Sequence, residues 1–97
     1  IETHYYIYIV ASSRRTIYTG MTRDISARIG QHKAERTPSF TTKYRTNQLV
    51  WCEVAESFES AQAREKEIKG WRRSKKISLI ERENTFWQDL TAQLVTG

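Results

Sequence analysis

The chain has 97 residues, room for one domain and one modest core, because a chain this short buries only about two-thirds of its unfolded surface. A second catalytic domain is excluded; 38% hydrophobic residues, three tryptophans and the lack of repetitive or Pro-rich stretches also exclude disorder, so residues 1–97 read as a single ordered domain. The formal charge of +5, from 16 Lys and Arg against 11 Asp and Glu, favours a polyanionic partner such as DNA or RNA without identifying it.

Residues 5–10, YYIYIV, are a run of β-formers, and residues 16–21 are a second one after the polar connector Ser12, Ser13, Arg14 and Arg15. The pair predicts a β-hairpin. Side chains alternate across a strand, so Tyr6, Tyr8 and Val10 share one face and Tyr5, Ile7 and Ile9 the other. If the loop has an odd number of residues, such as Ser12 to Arg14, cross-strand pairing sets Tyr8 opposite Tyr18 on one side of the sheet. The N-terminal run is too short and too rich in Tyr for a signal peptide, and no segment approaches the roughly 20 apolar residues of a membrane span. A soluble, cytoplasmic protein with no membrane partner is expected.

Asp24 fits a helix N-cap, and Ile25 and Ile29 supply i, i+4 apolar contacts to a helix running to about Glu35. Arg28 and His32 are one turn apart on it. Residues 37–47, with Pro38 and several Thr, lack periodicity and read as a loop into a strand over Leu49–Val54. Cys52 in that strand is the only cysteine. It excludes an intramolecular disulfide, argues against a zinc cluster and fits a reducing compartment.

Residues 60–73 are strongly helical, with Ala61, Ile68 and Trp71 on one side. At about 100° per residue, Glu65 falls one turn after Ala61 and one turn before Ile68, bordering the buried face, whereas Glu67 points away. Ser74 is placed to cap a further helix through Ile77 and Ile80, broken at Asn84 and Thr85 before a last amphipathic segment carrying Phe86, Trp87, Leu90 and Leu94. The fold class is α+β: a small three-stranded antiparallel sheet flanked by helices, in the order ββαβα plus one or two C-terminal helices.

Several residues admit two readings. Tyrosines on a sheet face pack with their hydroxyls at the rim or do chemistry there. Arg28 is a solvated charge or a phosphate ligand, and His32 a surface or second-layer residue or a participant. Glu65 forms an i, i+4 ion pair with Lys69 or holds a metal. Arg72, Arg73, Lys75 and Lys76 are a phosphate-contacting patch or a basic helix end.

The joint spacing narrows these choices. YIY at 6–8, YTG at 18–20, Arg28 ten residues after Tyr18, His32 one helical turn later, Glu65 within AREKEIKGWRR, and Asn84 and Trp87 within ERENTFWQDL resemble, in this order, the GIY-YIG nuclease superfamily and its small stand-alone bacterial members. The resemblance covers nearly the whole chain. It implies a metal-dependent endonuclease hydrolysing phosphodiester bonds in nucleic acid, with DNA favoured over RNA. One of Tyr8 and Tyr18 would act as general base on the attacking water while the other positions water or phosphate. Arg28 would neutralise the scissile phosphate, Glu65 would hold one divalent ion, Mg²⁺ or Mn²⁺, and His32 would sit close to the phosphate or the water. Asn84 would contact a phosphate or orient a neighbour, and Lys43 joins the basic residues at 72–76 as a candidate substrate contact.

Two positions depart from the family pattern: Tyr6 stands where the first motif has Gly, and Thr19 where the second has Ile. Neither is a proposed catalytic group. A tyrosine with its ordinary pKa near 10 is a poor base at neutral pH, so Arg28, Lys43 or the metal is expected to favour the phenolate. The competing reading is a nucleic-acid-binding module of the same fold with little or no cleavage. A carboxylate beside phosphates argues against it, because it repels them unless a cation intervenes.

Overall fold

The computed structural model describes residues 4–34 and 48–96, the last three of each stretch by backbone alone. Its elements are β1 (Tyr5–Ala11), β2 (Ile17–Thr22), α1 (Ile25–Ala34), β3 (Gln48–Ala55), α2 (Phe58–Lys69), α3 (Arg73–Glu83) and α4 (Thr91–Thr96). The three strands form one antiparallel sheet in the order β2-β1-β3. The α+β class and the ββαβα order with two further helices are those expected. The loop expected over residues 37–47 lies outside the described residues.

β1 is the centre of the sheet and is apolar on both faces, as a strand covered on two sides must be. Ile7, Ile9 and Ala11 join Val50, Trp51, Ala61, Ile68, Leu79, Ile80 and Trp87 in one core. Tyr8 and Val10 join Ile25, Ile29 and Leu49 in a second core on the opposite face. The strand alternation read from the sequence therefore sorts these residues correctly. A bulge between Ile9 and Val10 in the β1–β3 register leaves Val50 as the extra residue and turns it, with Trp51, into the first core.

The hairpin register differs from the expected one. Tyr8 faces Gly20, and Tyr18 faces Val10, so the two tyrosines are diagonal rather than directly opposite. The loop spans residues 12–16, two more than expected. Ser12 holds it closed: its Oγ accepts from the N–H of Arg14 at 3.2 Å and of Thr16 at 3.0 Å, and Arg15 takes a left-handed φ of 64°. A shift of two preserves facing, so both phenols stay on one side of the sheet.

Helix boundaries follow caps. Asp24 caps α1 as expected, its Oδ1 accepting from Ala27 N–H at 3.0 Å. α2 begins two residues earlier than expected because Ser57 is its cap, accepting from Ser60 N–H at 3.1 Å. It stops at Gly70, leaving Trp71 in the turn. Ser74 does not cap α3: Arg72 holds that position in extended backbone with no side-chain cap. The last segment also differs, since Phe86 is 80% exposed while Trp87, at φ 56°, turns inward and gives its Nε1–H to Glu81 at 2.7 Å.

Asn84 closes α3 and ties it to the sheet. Its amide donates to the carbonyls of Val50 at 3.1 Å and Gln88 at 2.8 Å and accepts from Gln88 N–H at 2.9 Å, and the residue is buried. Both amide protons are used inside the protein, so its position suits orienting neighbours rather than meeting a phosphate. Beyond it, Leu90 N–H donates to Leu49 O at 2.7 Å and Asp89 accepts from Leu49 N–H at 3.2 Å, which covers the outer edge of β3. No helix of the described residues is long and apolar enough to cross a membrane.

Asn84→Ala is expected to lower stability by about 2–3 kcal/mol, because it strands buried polar partners. Urea denaturation followed by circular dichroism measures it. An unchanged midpoint would return Asn84 to the list of substrate contacts.

Candidate active site

Tyr8 and Tyr18 meet at Gly20. Tyr8 is fully buried on the α1 side of the sheet, and its hydroxyl end fills the space a side chain at position 20 would take. A Cβ on Gly20 would lie 2.5 Å from Tyr8 Oη, 2.7 Å from its Cζ and 3.0 Å from Tyr18 Cε1. Close approach, not backbone conformation, thus requires glycine here, as no glycine among the described residues has positive φ. The two rings stand 6.4 Å apart between centroids, tilted by 43°. Tyr18, on the edge strand, is 45% exposed.

Arg28 reaches this pair from α1. Ile25 and Ile29 are buried against Tyr8, Val10 and Leu49, and Arg28 lies one turn after the first and beside the second, on the border of the buried face. Its charge and hydrogen-bonding capacity draw the pKa of the Tyr8 phenol down. Glu65 comes from α2, whose anchors Ala61 and Ile68 belong to the other core. That helix lies against β2, and its Lys69 ammonium comes within 5.8 Å of the Tyr18 ring centroid. The two sides of the sheet therefore meet at the β2 edge. The Glu65 side chain is 21% exposed there, with Lys69 Nζ 3.0 Å from its Oε2, whereas Glu67 is 54% exposed and pairs with Arg64.

These charges act on Tyr8 in opposite directions. Burial raises its pKa above the ordinary tyrosine value, Arg28 lowers it by charge and hydrogen bonding, and Tyr18 and Glu65 raise it. The net shift is upward. Arg28 acts on Tyr8 in the expected direction, toward the phenolate, but desolvation outweighs it.

Of the other residues singled out in the sequence, His32 lies in α1 one turn after Arg28, with its side chain outside the described residues, as is Lys43 altogether. Arg72, Arg73 and Lys75 are exposed and Lys76 half-buried. None of the four is among the groups acting on Tyr8. Arg73 donates to the carbonyl of Arg15 in the hairpin loop, and the Lys75 ammonium lies 4.3 Å from the Trp71 ring centroid, which Arg64 also approaches at 5.4 Å. They form a basic, aromatic surface at the α2–α3 turn. Sequence reasoning passed over Gly20 as a contact point and Lys69 as a neighbour of Tyr18. The i, i+4 spacing from Glu65 is the only signal for Lys69.

Among the described residues, the donors at the β2 edge are hard oxygens, the Glu65 carboxylate and the Tyr18 phenol, with the Tyr8 phenol buried beside Tyr18. Cys52, paired with Tyr8 across β1–β3, is the one thiol, and burial pushes its pKa up to about 11. No group of three or more His, Cys, Asp and Glu capable of holding a metal exists among the described residues. That set does not fit a structural zinc. It fits a cation that keeps most of its waters and takes one carboxylate, as Mg²⁺ and Mn²⁺ do.

The sequence pattern of the GIY-YIG catalytic domain, a family of endonucleases, matches residues 4–78. A UPF0213 protein of Staphylococcus haemolyticus is 38% identical over 77 residues, 79% of this chain and 94% of the relative. One of Haloquadratum walsbyi is 37% identical over 81 residues, 84% and 91% of the two chains. The solution NMR structure of a UPF0213 protein from Bacillus halodurans superposes with a TM-score of 0.56 at 28% identity, covering 91% of this chain and 94% of that one.

Two measurements test this geometry. Gly20→Ala is expected to cost about 1–3 kcal/mol, because Tyr8 is fully enclosed and cannot swing away from the added methyl; a urea midpoint equal to wild type would mean the contact is softer than the structure has it. In an alkaline titration followed by phenolate absorbance, Tyr8→Phe is expected to remove a late-titrating phenol. The folded chain holds that proton to higher pH than the unfolded chain does, so its stabilising effect is complete below about pH 10 and lost as pH rises through the folded pKa.

Proposed function

The chain belongs to the GIY-YIG family, and from that membership we propose that it is a metal-dependent endonuclease that hydrolyses phosphodiester bonds in DNA at the β2 edge of its sheet. The observation that carries this reading is the packing of Tyr8 of β1 against Tyr18 of β2 at Gly20, with the charges of Arg28 of α1 and Glu65 of α2 near enough to act on Tyr8.

Each group has a task suited to its surroundings. Tyr18 opens to solvent and Tyr8 does not, so Tyr18 is the phenol that touches the attacking water and takes its proton. Tyr8 keeps its own proton at neutral pH, within reach of the Arg28 charge. Arg28, always charged and a planar multiple donor, stabilises the charge that grows on the non-bridging phosphoryl oxygens as water adds to phosphorus and the ester bond breaks. Glu65 is the residue that would hold a divalent ion, which when bound supplies a Lewis acid at the phosphate and lowers the pKa of nearby phenol and water. His32 and Lys43 are proposed to flank the scissile phosphate. Arg72, Arg73, Lys75 and Lys76 would contact the backbone farther along the strand, where each phosphate contact adds salt-sensitive affinity.

Specificity for base sequence is expected to be weak. Nothing in the chain resembles a helix-turn-helix or a zinc finger, and phosphate contacts carry no sequence information.

Nicking of supercoiled plasmid is the direct assay. With Mg²⁺ or Mn²⁺ the protein is expected to nick, and EDTA or Glu65→Ala to abolish nicking. Tyr18→Phe should lower the rate by about 10²–10⁴-fold, the usual worth of a positioned base. Salt-sensitive binding without cleavage under all these conditions would favour the binding-module reading instead.

A further inference from the structure

Resting on the proposal that Glu65 takes a divalent cation, we propose that Lys69 is its built-in stand-in: the ammonium occupies the carboxylate when no metal is bound and moves to a nucleic-acid phosphate when a metal displaces it.

Three observations point this way. Lys69 Nζ lies 3.0 Å from Glu65 Oε2, so the carboxylate proposed for the metal carries a cation already. The same ammonium is 5.8 Å from the Tyr18 ring centroid, which places it beside the phenol proposed as the base. Glu65 and Lys69 both line an open groove of about 460 Å³ along α2, together with Glu59, Gln62, Ala63 and Lys66.

The energetics allow the exchange. A lone carboxylate at a phosphate-binding edge repels the substrate, whereas a paired one does not. The Lys69 side chain is 49% exposed, and a pair this open is weak enough for a divalent ion to displace. Four flexible methylenes then let the ammonium turn into the groove without moving the helix. Two consequences follow with opposite signs. Lys69 competes with metal when nucleic acid is absent, and it strengthens nucleic-acid binding only when metal is present. By linkage, metal and nucleic acid each promote the other's binding through this side chain.

Mn²⁺ affinity, read by the electron paramagnetic resonance signal of the free ion, tests the first consequence on the intact chain without any cleavage assay. Lys69→Met is expected to bind Mn²⁺ about two- to five-fold more tightly than wild type, the worth of one exposed ion pair. Lys66→Met, which removes the same charge almost a turn earlier, should tighten it less, and Lys69→Arg should stay near wild type. Fluorescence anisotropy with a labelled DNA oligonucleotide tests the second. Lys69→Met should cost under about two-fold in EDTA and about five- to ten-fold in Ca²⁺, the worth of one charged contact to phosphate. Mn²⁺ affinity in Lys69→Met equal to or weaker than in Lys66→Met overturns the proposal, as does an equal loss of DNA binding in EDTA and Ca²⁺. Glu65→Gln separates the two levels. If it leaves Mn²⁺ binding intact, the metal assignment fails and this inference with it; if it abolishes binding while Lys69→Met fails to tighten it, only the role of Lys69 falls.

Discussion

Among the described residues Tyr8 heads the fully buried side chains by volume, and its hydroxyl end occupies the place of a Cβ at Gly20. The site depends on that contact. The phenol can be buried there only because position 20 has no side chain, and burial brings it under Arg28 and beside Tyr18. A polar hydroxyl in such a place needs partners, and the Arg28 guanidinium supplies a charged one. The same desolvation that demands a partner also holds the proton on Tyr8. Packing thus gives the two tyrosines different surroundings although both lie on the same face of one hairpin.

A sheet with only three strands has two edges, and the protein treats them differently. The β3 edge is closed by Asp89 and Leu90 through backbone hydrogen bonds to Leu49. The β2 edge is where α2 lies and where residues anchored in two separate cores come together. Arg28 is fixed through Ile25 and Ile29 in one core, Glu65 through Ala61 and Ile68 in the other. β1, apolar on both faces, joins the cores, so the helices that carry Arg28 and Glu65 are positioned by close-packed apolar contacts.

Much of this arrangement is readable from residue spacing. Strict alternation in residues 5–11 sorts β1 onto its two faces, and helical periodicity puts Glu65 at the border of the buried side and Glu67 outside it. Other features depend on contacts that spacing does not encode. The hairpin register rests on one hydroxyl, Ser12 Oγ, standing in for a turn carbonyl, and a serine in a polar connector looks the same whether or not it does so. Asn84 at the end of a helical run reads as a stop signal, yet its amide reaches back to Val50, 34 residues earlier. The upward shift of Tyr8 is legible only after α1 has covered it, because the sign follows from desolvation winning over a visible cation.

Net charge plays a smaller part than the +5 total suggests. Among the described residues the balance at the site is local, with Arg28 and Lys69 beside Glu65, while Arg73 reaches the hairpin loop and Lys75 the face of Trp71. Glu65 is already paired there, with Lys69, and both side chains of the pair keep part of their exposure. A carboxylate sealed inside would hold its lysine too firmly to take a metal, and one fully in solvent would hold neither. The partial exposure that the borderline position of residue 65 on α2 imposes suits it to exchange one cation for another.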